Sequence, residues 1–108
     1  PRLSFDDFSR IDLRIAEVVA VENVAKTNKL LKLHIKVGKE QRQIVAGIAQ
    51  FYQPEDLVGK KIVIVANLEP ATIRGIESNG MLLAAEDEQG HLALLTVMGD
   101  IETGAKVR

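Results

Sequence analysis

Apolar and polar residues alternate strictly between residues 31 and 37 of this 108-residue sequence. Successive side chains of a β-strand point to opposite faces, so strict alternation predicts a strand with one buried face. Leucine, isoleucine and valine occupy the buried face, whereas Lys32, His34 and Lys36 occupy the other. The pattern therefore predicts a half-buried strand whose solvent face is basic.

Further segments carry strand patterns of three kinds. These are a loose alternation of β-branched residues, short apolar segments that are joined by glycine-containing turns as in hairpins, and one continuous apolar run. The continuous run predicts a strand that is buried on both faces. A last short strand is predicted close to the C-terminus. In chain order the other predicted strands and the alternating one are 13–21, 31–37, 42–48, 61–68, 81–87 and 91–97.

Two short helical turns accompany these strands. The first is predicted over residues 4–9, where Ser4 can accept a hydrogen bond as the N-cap residue. Phe5 and Phe8 are three residues apart and share one face of that turn. They are predicted either to cover an end of the core or to join a partner chain. The second turn is predicted within residues 53–61, between a proline and a glycine.

The order of these elements predicts the fold class. Short strands at even spacing, without long crossover helices, favour a small barrel over a parallel sheet. About five main strands with an inserted helical turn describe a five-stranded Greek-key barrel, the OB-fold, which is an all-β architecture. A chain of 108 residues supports one domain, so we predict a single OB-fold domain over residues 1–108.

Charge is unevenly distributed along the chain, although its net value is −1. Residues 26–42 contain six basic side chains and one acidic side chain, whereas residues 86–102 contain five acidic side chains and no Lys or Arg. A basic patch is the electrostatic footprint of a polyanionic partner. Alternating lysines can also simply solvate one face of a strand, so charge alone leaves both interpretations open.

No catalytic constellation is present in the sequence. The absence of cysteine excludes disulfides and thiolate chemistry and fits a cytoplasmic location. His34 and His91 each lack a second ligand at metal spacing, and Ser78 lies outside the G-x-S-x-G spacing of a nucleophile elbow. Phosphate-loop motifs and membrane-length apolar runs are also absent. We therefore expect a non-catalytic domain with no metal, no cofactor and no membrane segment.

Residues 67–85 form an irregular segment that turns at Gly75 and at Gly80. Met81 follows the second turn directly. It is either the first residue of a core strand or a surface residue that the loop presents to a partner, together with Ser78. The segment itself does not decide between these two interpretations.

Four stretches carry a resemblance to a known family. They are DLRIAEVVAVENV, NKLLKLHIKVG, RQIVAGIAQFYQPEDLVGKKIVIVANLEP and IRGIESNGMLLAA. Together they resemble the EMAP-II-type tRNA-binding domain. That family occurs as the C-terminal domain of methionyl-tRNA synthetase, as free-standing dimeric tRNA-binding proteins and in export-chaperone-like proteins. Its Asn-Leu-x-Pro and Ser-x-Gly-Met elements, in that order and spacing, are the most specific part of the resemblance.

The resemblance implies a domain that binds the outer corner of tRNA by shape and backbone and does not aminoacylate it. It also implies a homodimer, with Phe5 and Phe8 at the interface, either free-standing or attached to the catalytic part of methionyl-tRNA synthetase. A chaperone-like module that binds unfolded chains is the alternative function on the same fold. The family's three contact positions fall on Lys29, Ser78 and Met81. Its four supporting positions fall on Lys32, Arg42, Asn67 and Arg74.

The residue types at these positions suit an RNA partner. Lysines neutralise phosphates and release counterions, and Arg74 can pair a phosphate bidentately. A hydroxyl at Ser78 can donate to a phosphate or a 2′-OH, and Met81 offers an adaptable apolar surface. The side chain of Asn67 is better suited to hydrogen-bonding the backbone and shaping its loop than to contacting RNA.

Three places depart from the resemblance. Val24–Asn28 replaces a His-Pro-x-Ala-Asp loop, and Ala46–Ile48 replaces Ser-Gly-Ile. Glu69 replaces the lysine of Asn-Leu-Lys-Pro, so an anion stands beside the expected site. We expect Glu69 to weaken tRNA binding modestly.

Overall fold

A computed structural model describes all residues from 1 to 108 and contains two short helices and ten strands. The strand-rich composition is the expected one, but several strands are shorter than their sequence patterns suggest. In chain order the elements are α1 (Phe5–Ser9), β1 (Leu13–Asn23), β2 (Leu31–Val37), β3 (Glu40–Ala46), α2 (Pro54–Leu57), β4 (Lys61–Val65), β5 (Ala71–Ile73), β6 (Ile76–Ser78), β7 (Met81–Leu82), β8 (Ala84–Glu86), β9 (Leu92–Leu94) and β10 (Lys106–Val107).

The main sheet is antiparallel and curled, with strand order β3-β2-β1-β4-β7. The chain runs from β1 to β3 as a meander and then returns beside β1 as β4, which is the long connection of a Greek key. β10 also pairs with β1, where Leu13 lies opposite Val107. The short hairpins β5–β6 and β8–β9 lie outside this path. The prediction of an all-β, OB-type Greek-key barrel is confirmed.

The core lies inside the curl of this sheet. Leu31, Leu33 and Ile35 of β2 are fully buried, and the residues between them lie on the outer face with Lys36, as the alternation predicts. β4 is buried on both faces from Ile62 to Val65, which confirms the prediction from the continuous apolar run. The largest fully buried side chains are Leu31, Leu33, Ile35, Ile44, Ile62, Ile64 and Val18.

A β-bulge explains why alternation in β1 is loose. Val18 pairs with Ile35 and Ala20 pairs with His34, so Val19 is an extra residue without a partner on β2. Val19 therefore points to solvent, and the inward pattern resumes at the next residue but one. The bulge keeps both halves of an eleven-residue strand on the core.

The strand predicted at 81–87 is broken at Leu83. β7 pairs with β4, whereas β8 pairs with β9, so the chain changes sheets at this residue. The Leu83 N–H donates to the carbonyl of Val63 at 3.0 Å, and its carbonyl accepts from the N–H of Leu95 at 3.0 Å. Period-two patterning cannot show this change, because the pairing partner of each half lies far away in sequence.

Both helical turns form where they are predicted. The Ser4 hydroxyl accepts from the Asp7 N–H at 3.1 Å, which is the expected cap of α1. Asp56 accepts from the Gln53 N–H at 3.0 Å and so caps α2, with Pro54 in the first turn. Both helices end within one or two turns because neither has an apolar face long enough to propagate.

The acidic tip of the β8–β9 hairpin is exposed and internally bonded. The Asp87 carboxylate pairs with the imidazole of His91 at 2.9 Å and accepts the backbone N–H groups of His91 and Gln89. These bonds, the imidazole first, hold the pKa of Asp87 below its ordinary value. The carboxylate therefore stabilises this turn as long as it remains ionised.

Replacing Leu33, at the centre of β2, tests the assignment of the core. Leu33→Ala removes a fully buried side chain, and we expect a loss of about 2–5 kcal/mol in the free energy of unfolding by urea denaturation. Val19→Ala, in the exposed bulge, serves as control and is expected to change stability by about 0.5 kcal/mol or less. Equal losses in the two variants would contradict this packing.

Candidate nucleic-acid interface

The irregular segment after β4 contains a hairpin that its sequence does not announce. β5 and β6 pair from Ala71 opposite Ser78 to Ile73 opposite Ile76, and only two residues join them. Arg74 and Gly75 both have positive φ, 53° and 79°, which is the requirement of a type I′ turn. The turn carries an arginine where asparagine or glycine is usual, and this is why the signal is easily missed. The exposed Arg74 side chain occupies the tip of the hairpin.

Ser78 fastens this hairpin to the barrel. It is 5% exposed, and its hydroxyl accepts from the Val45 N–H at 2.9 Å and donates to the Gly80 carbonyl at 3.3 Å. The Asn79 N–H donates to the carbonyl of Gln43 at 2.9 Å. We call this set of bonds between β3 and residues 77–80 the seam. The Ser78 hydroxyl is thus engaged within the protein.

Two further residues of the seam were not identified from the sequence. The Gln43 side-chain amide donates to the Glu77 carbonyl at 2.9 Å. This is a further hydrogen bond between β3 and β6, next to that of Ser78. Gly80 has φ of 123°, and a Cβ there would lie 3.3 Å from the Val65 carbonyl oxygen. Only glycine fits between the ends of β3 and β4 in this conformation. The glycine turn in the sequence is therefore also a point of close packing.

Arg42 and Asn67 are likewise engaged by neighbouring groups. The Arg42 guanidinium donates to the Ala66 carbonyl at 2.7 Å and to the Glu40 carboxylate at 2.9 Å, and its side chain is 14% exposed. Asn67 accepts from the Asp12 N–H at 2.9 Å and donates to the Arg10 carbonyl at 2.7 Å. Asn67 thus holds the chain after β4 against the segment between α1 and β1.

The outer face of β2 is less basic than the sequence suggests. Lys32 lies 3.4 Å from the carboxylate of Glu22, and its side chain is 23% exposed. The same carboxylate lies 4.0 Å from His34. Glu17 on β1 lies opposite Lys36 in the strand register. Neighbouring β1 therefore supplies compensating carboxylates, a cross-strand effect that the sequence of β2 alone does not show.

Lys29 is different from these lysines. It lies in the loop before β2, is exposed, and forms no ion pair. Its backbone is fixed, because its N–H donates to the Thr27 hydroxyl at 3.1 Å and its carbonyl accepts from the Ala49 N–H at 3.0 Å. Lys29 and Arg74 are thus exposed cations on anchored backbone.

Both interpretations of Met81 hold in part. It begins β7 and pairs with Val65, yet its side chain is 50% exposed. Met81 lines an apolar depression of about 360 Å³ between the end of β3 and the β5–β6 hairpin, which we call the hairpin groove. Val45, Ile73 and Leu68 contribute to its walls, and Glu69 is the one charged residue that lines it. Met81 is therefore a strand residue whose side chain lies at the rim of a groove.

A second apolar surface lies at the N-terminal end of the chain. Phe5 is 79% exposed and Phe8 is half-buried on α1. Beside α1 is a shallow depression of about 530 Å³ that includes Leu3 and Ile11. This surface is separate from the hairpin groove, although Leu68 borders both.

The structure contains no group of three or more His, Asp or Glu side chains arranged to hold a metal ion. His34 lies in β2 of the main sheet, whereas His91 lies in the turn between β8 and β9. No helix in the chain is long and apolar enough to cross a membrane. What the site offers is exposed cations, an apolar groove and a rigid frame.

Comparison with known families now adds to this geometry. Residues 13–106 match the family described as "Putative tRNA binding domain", and the chain belongs to that family. The match spans the basic strand, the seam and the hairpin groove. The resemblance to the tRNA-binding domain family is therefore confirmed.

The sequence relatives are methionine–tRNA ligases. The chain is 59% identical over 106 residues to the enzyme of Deinococcus radiodurans and 60% identical over 105 residues to that of Thermotoga maritima. These alignments cover 98% and 97% of this chain but 16% of each relative. The chain thus spans about one sixth of the length of the curated relatives it matches.

Solved structures extend the comparison to whole chains. A MetRS-related protein from Pyrococcus horikoshii is 39% identical with a TM-score of 0.95, and the alignment covers 100% of this chain and 99% of that one. The chaperone CsaA from Bacillus anthracis is 32% identical with a TM-score of 0.90, over the full length of both chains. Proteins with two different descriptions therefore share this fold from end to end.

Removing the Ser78 hydroxyl tests the seam. Ser78→Ala leaves the buried Val45 N–H without an acceptor, and we expect a loss of about 1–3 kcal/mol in the free energy of unfolding by urea denaturation. Ser9→Ala is the control, because its hydroxyl donates to the Asp6 carbonyl at an exposed position. A Ser78 variant as stable as the Ser9 variant would show that the seam does not need this bond.

Proposed function

We propose that this domain binds tRNA at its outer corner, independently of sequence and without catalysing a reaction, in the cytoplasm. The observation that carries the proposal is a pair of exposed cations, Lys29 and Arg74, together with the hairpin groove, in a chain of the tRNA-binding domain family. Met81 supplies an exposed apolar surface in that groove. All three side chains are presented by anchored backbone.

The seven residues implied by the family divide into two groups in this proposal. Lys29, Arg74 and Met81 are exposed and contact the RNA. The remaining four are engaged inside the protein and act by holding the first group in place. They are Ser78 at the seam, Arg42 bonded to the carbonyl of Ala66, Asn67 bonded to the carbonyl of Arg10 and Lys32 paired with Glu22.

Sequence independence follows from the kind of contact. Lysine and arginine neutralise phosphates, which are the same in every nucleotide, and such contacts position the partner without reading bases. A rigid surface with few cations selects by shape, because only a backbone of matching curvature reaches all of them. tRNA presents such a curved backbone at its corner.

We also propose the setting of the domain. Its relatives are methionine–tRNA ligases of which it covers 16%, which supports attachment to a catalytic part that charges tRNA. The full-length similarity to the Pyrococcus horikoshii protein supports a free-standing form equally well. In either case the domain would add binding energy for tRNA and leave the chemistry elsewhere.

A homodimer is part of the proposal. Phe5 is 79% exposed, and the apolar depression beside α1, which includes Leu3 and Ile11, extends the same surface into a larger apolar patch of the kind that marks an interface. Two copies would bring two sets of cations to one tRNA or to two, which raises avidity without new contacts. The N-terminal and C-terminal segments are the proposed dimerisation extensions.

A chaperone-like function is the second candidate. It is favoured by the similarity to the chaperone CsaA from Bacillus anthracis and by the apolar character of the hairpin groove. An unfolded chain would place an apolar side chain against Met81 and make no use of Lys29. The two functions therefore differ in whether binding needs the cations.

The salt dependence of tRNA binding tests the proposal. We expect the logarithm of the association constant for total tRNA to fall linearly with the logarithm of salt concentration in filter binding. Lys29→Ala removes one phosphate contact and should lower the magnitude of that slope by about one. Lys60→Ala, an exposed lysine ahead of β4, is the matched control and should leave the slope unchanged. Salt-independent binding would contradict the electrostatic account and favour the chaperone-like function.

The assembly state tests the dimer. We expect sedimentation equilibrium at micromolar concentration to give twice the chain mass, and Phe5→Ser to shift the equilibrium toward monomer, because an apolar contact is lost. Phe51→Ser, at another exposed phenylalanine, should leave the dimer intact. A wild-type monomer at this concentration would reject the dimer without affecting the proposal of tRNA binding.

A further inference from the structure

The hairpin groove has properties that the binding of phosphates does not use. Its walls are mostly apolar, formed by Val45 and Ile48 on one side and by Leu68 and Ile73 on the other. Its volume of about 360 Å³ lies at the lower end of the range for small-molecule sites. A single planar base with its attached sugar edge fits such a space, whereas a helix or a folded peptide does not.

The groove is already formed in the free protein. Ser78 ties β6 to Val45, and Arg42 ties β3 to the carbonyl of Ala66, so the two walls cannot move apart independently. Gly80 packs between them at the base. A ligand that enters this groove would therefore meet little cost of reorganisation.

Glu69 is the single charged group on the groove, and it forms no ion pair. An ionised carboxylate only accepts hydrogen bonds, so its partner must offer donors. The carbonyl oxygen of Lys29 lies 4.0 Å from the position of a Cβ at Gly47, which lines the groove, and Arg74 directly follows Ile73, which also lines it. The expected ligand thus has apolar faces, a donor edge and negative charge nearby.

A nucleobase in single-stranded RNA has this combination of properties. Its faces are apolar, its edge carries hydrogen-bonding groups, and a phosphate precedes and follows it. Of the four bases, guanine presents two adjacent donors on its Watson–Crick edge, the N1–H and the N2 amino group. Adenine and cytosine present one amino group each, and uracil presents an N–H between two carbonyl oxygens that a carboxylate repels.

We propose that the hairpin groove takes one unpaired guanine base, stacked against Met81 and Leu68, with its N1–H and N2–H donating to the carboxylate of Glu69. This inference rests on the proposed RNA binding and departs from it at one position, where a base is read while the phosphate contacts remain independent of sequence. It also reverses the role expected of Glu69 from the sequence. The anion that repels phosphates is the acceptor that selects the base.

The experiment compares four short RNAs of seven nucleotides that are all uridine except for G, A, C or U at the centre. Fluorescence anisotropy with the full chain should show that the G-centred RNA binds about tenfold more tightly than the all-U RNA. The A- and C-centred RNAs should fall between them. Glu69→Gln removes the paired acceptor, and we expect the preference for G to fall below about threefold while binding of the all-U RNA is unchanged or tighter.

Glu77→Gln is the matched control. It removes the same charge from an exposed glutamate of the nearby β5–β6 hairpin, but Glu77 does not line the groove. The Glu77 variant should keep the wild-type preference for G. Because Glu69 and Glu77 are both exposed, neither substitution is expected to unfold the chain.

Other outcomes separate this inference from the proposed function. Equal affinity for all four RNAs, or an unchanged G preference in Glu69→Gln, would overturn the guanine site while salt-dependent tRNA binding stands. Absence of both tRNA binding and binding of the short RNAs would overturn the two together. If the four RNAs bind equally and apolar peptides displace them more strongly as the hydrophobicity of the peptide increases, the groove is a peptide site and the guanine site is overturned.

Discussion

The hydrogen bond between the Val45 N–H and the Ser78 hydroxyl is the constraint on which the rest of the structure depends. The N–H groups on the free side of the edge strand β3 need hydrogen-bond acceptors. Val45 is a buried residue of this strand, so its N–H needs an acceptor within the protein. β6 is only three residues long and ends at Ser78, so a side chain takes the place that a strand carbonyl would have. The same hydroxyl then donates to the Gly80 carbonyl and sets the direction in which the chain enters β7. The positions of the hairpin, the groove and Met81 all follow from this seam.

A division between holding and contacting residues results from this arrangement. Arg42, Asn67 and Ser78 direct their polar atoms to backbone groups of other elements, at distances between 2.7 and 3.3 Å. The side chains of Lys29 and Arg74 have no such partners and are exposed. A substitution in the first group is therefore expected to move several contacts at once, whereas a substitution in the second removes one. Residues of both groups would appear essential in a binding assay, and only a stability measurement separates them.

Much of the fold could be predicted because local pattern and tertiary environment agree in β2 and β4. Their alternation or continuous apolarity reports directly which faces are buried. The β5–β6 hairpin could not be predicted, since its turn contains Arg74, a poor residue for positive φ, and its strands have only three residues each. The change of sheet at Leu83 and the charge compensation of Lys32 by Glu22 depend on neighbours that are distant in sequence. The candidate surface residues were found by family resemblance, but their exposure and partners required coordinates.

Arg74 adopts the left-handed conformation that costs a non-glycine residue about 1–2 kcal/mol. Asparagine or glycine would form the same turn with less strain, so the arginine lowers the stability of the hairpin in return for a cation at its tip. Selection for thermal stability alone would remove this residue, whereas selection for affinity to a polyanion would retain it. Variants of this domain optimised only to resist heat should therefore lose the positive charge at this turn. The identity of the residue at this turn therefore indicates whether selection has acted on the thermal stability of the domain or on its affinity for a polyanion.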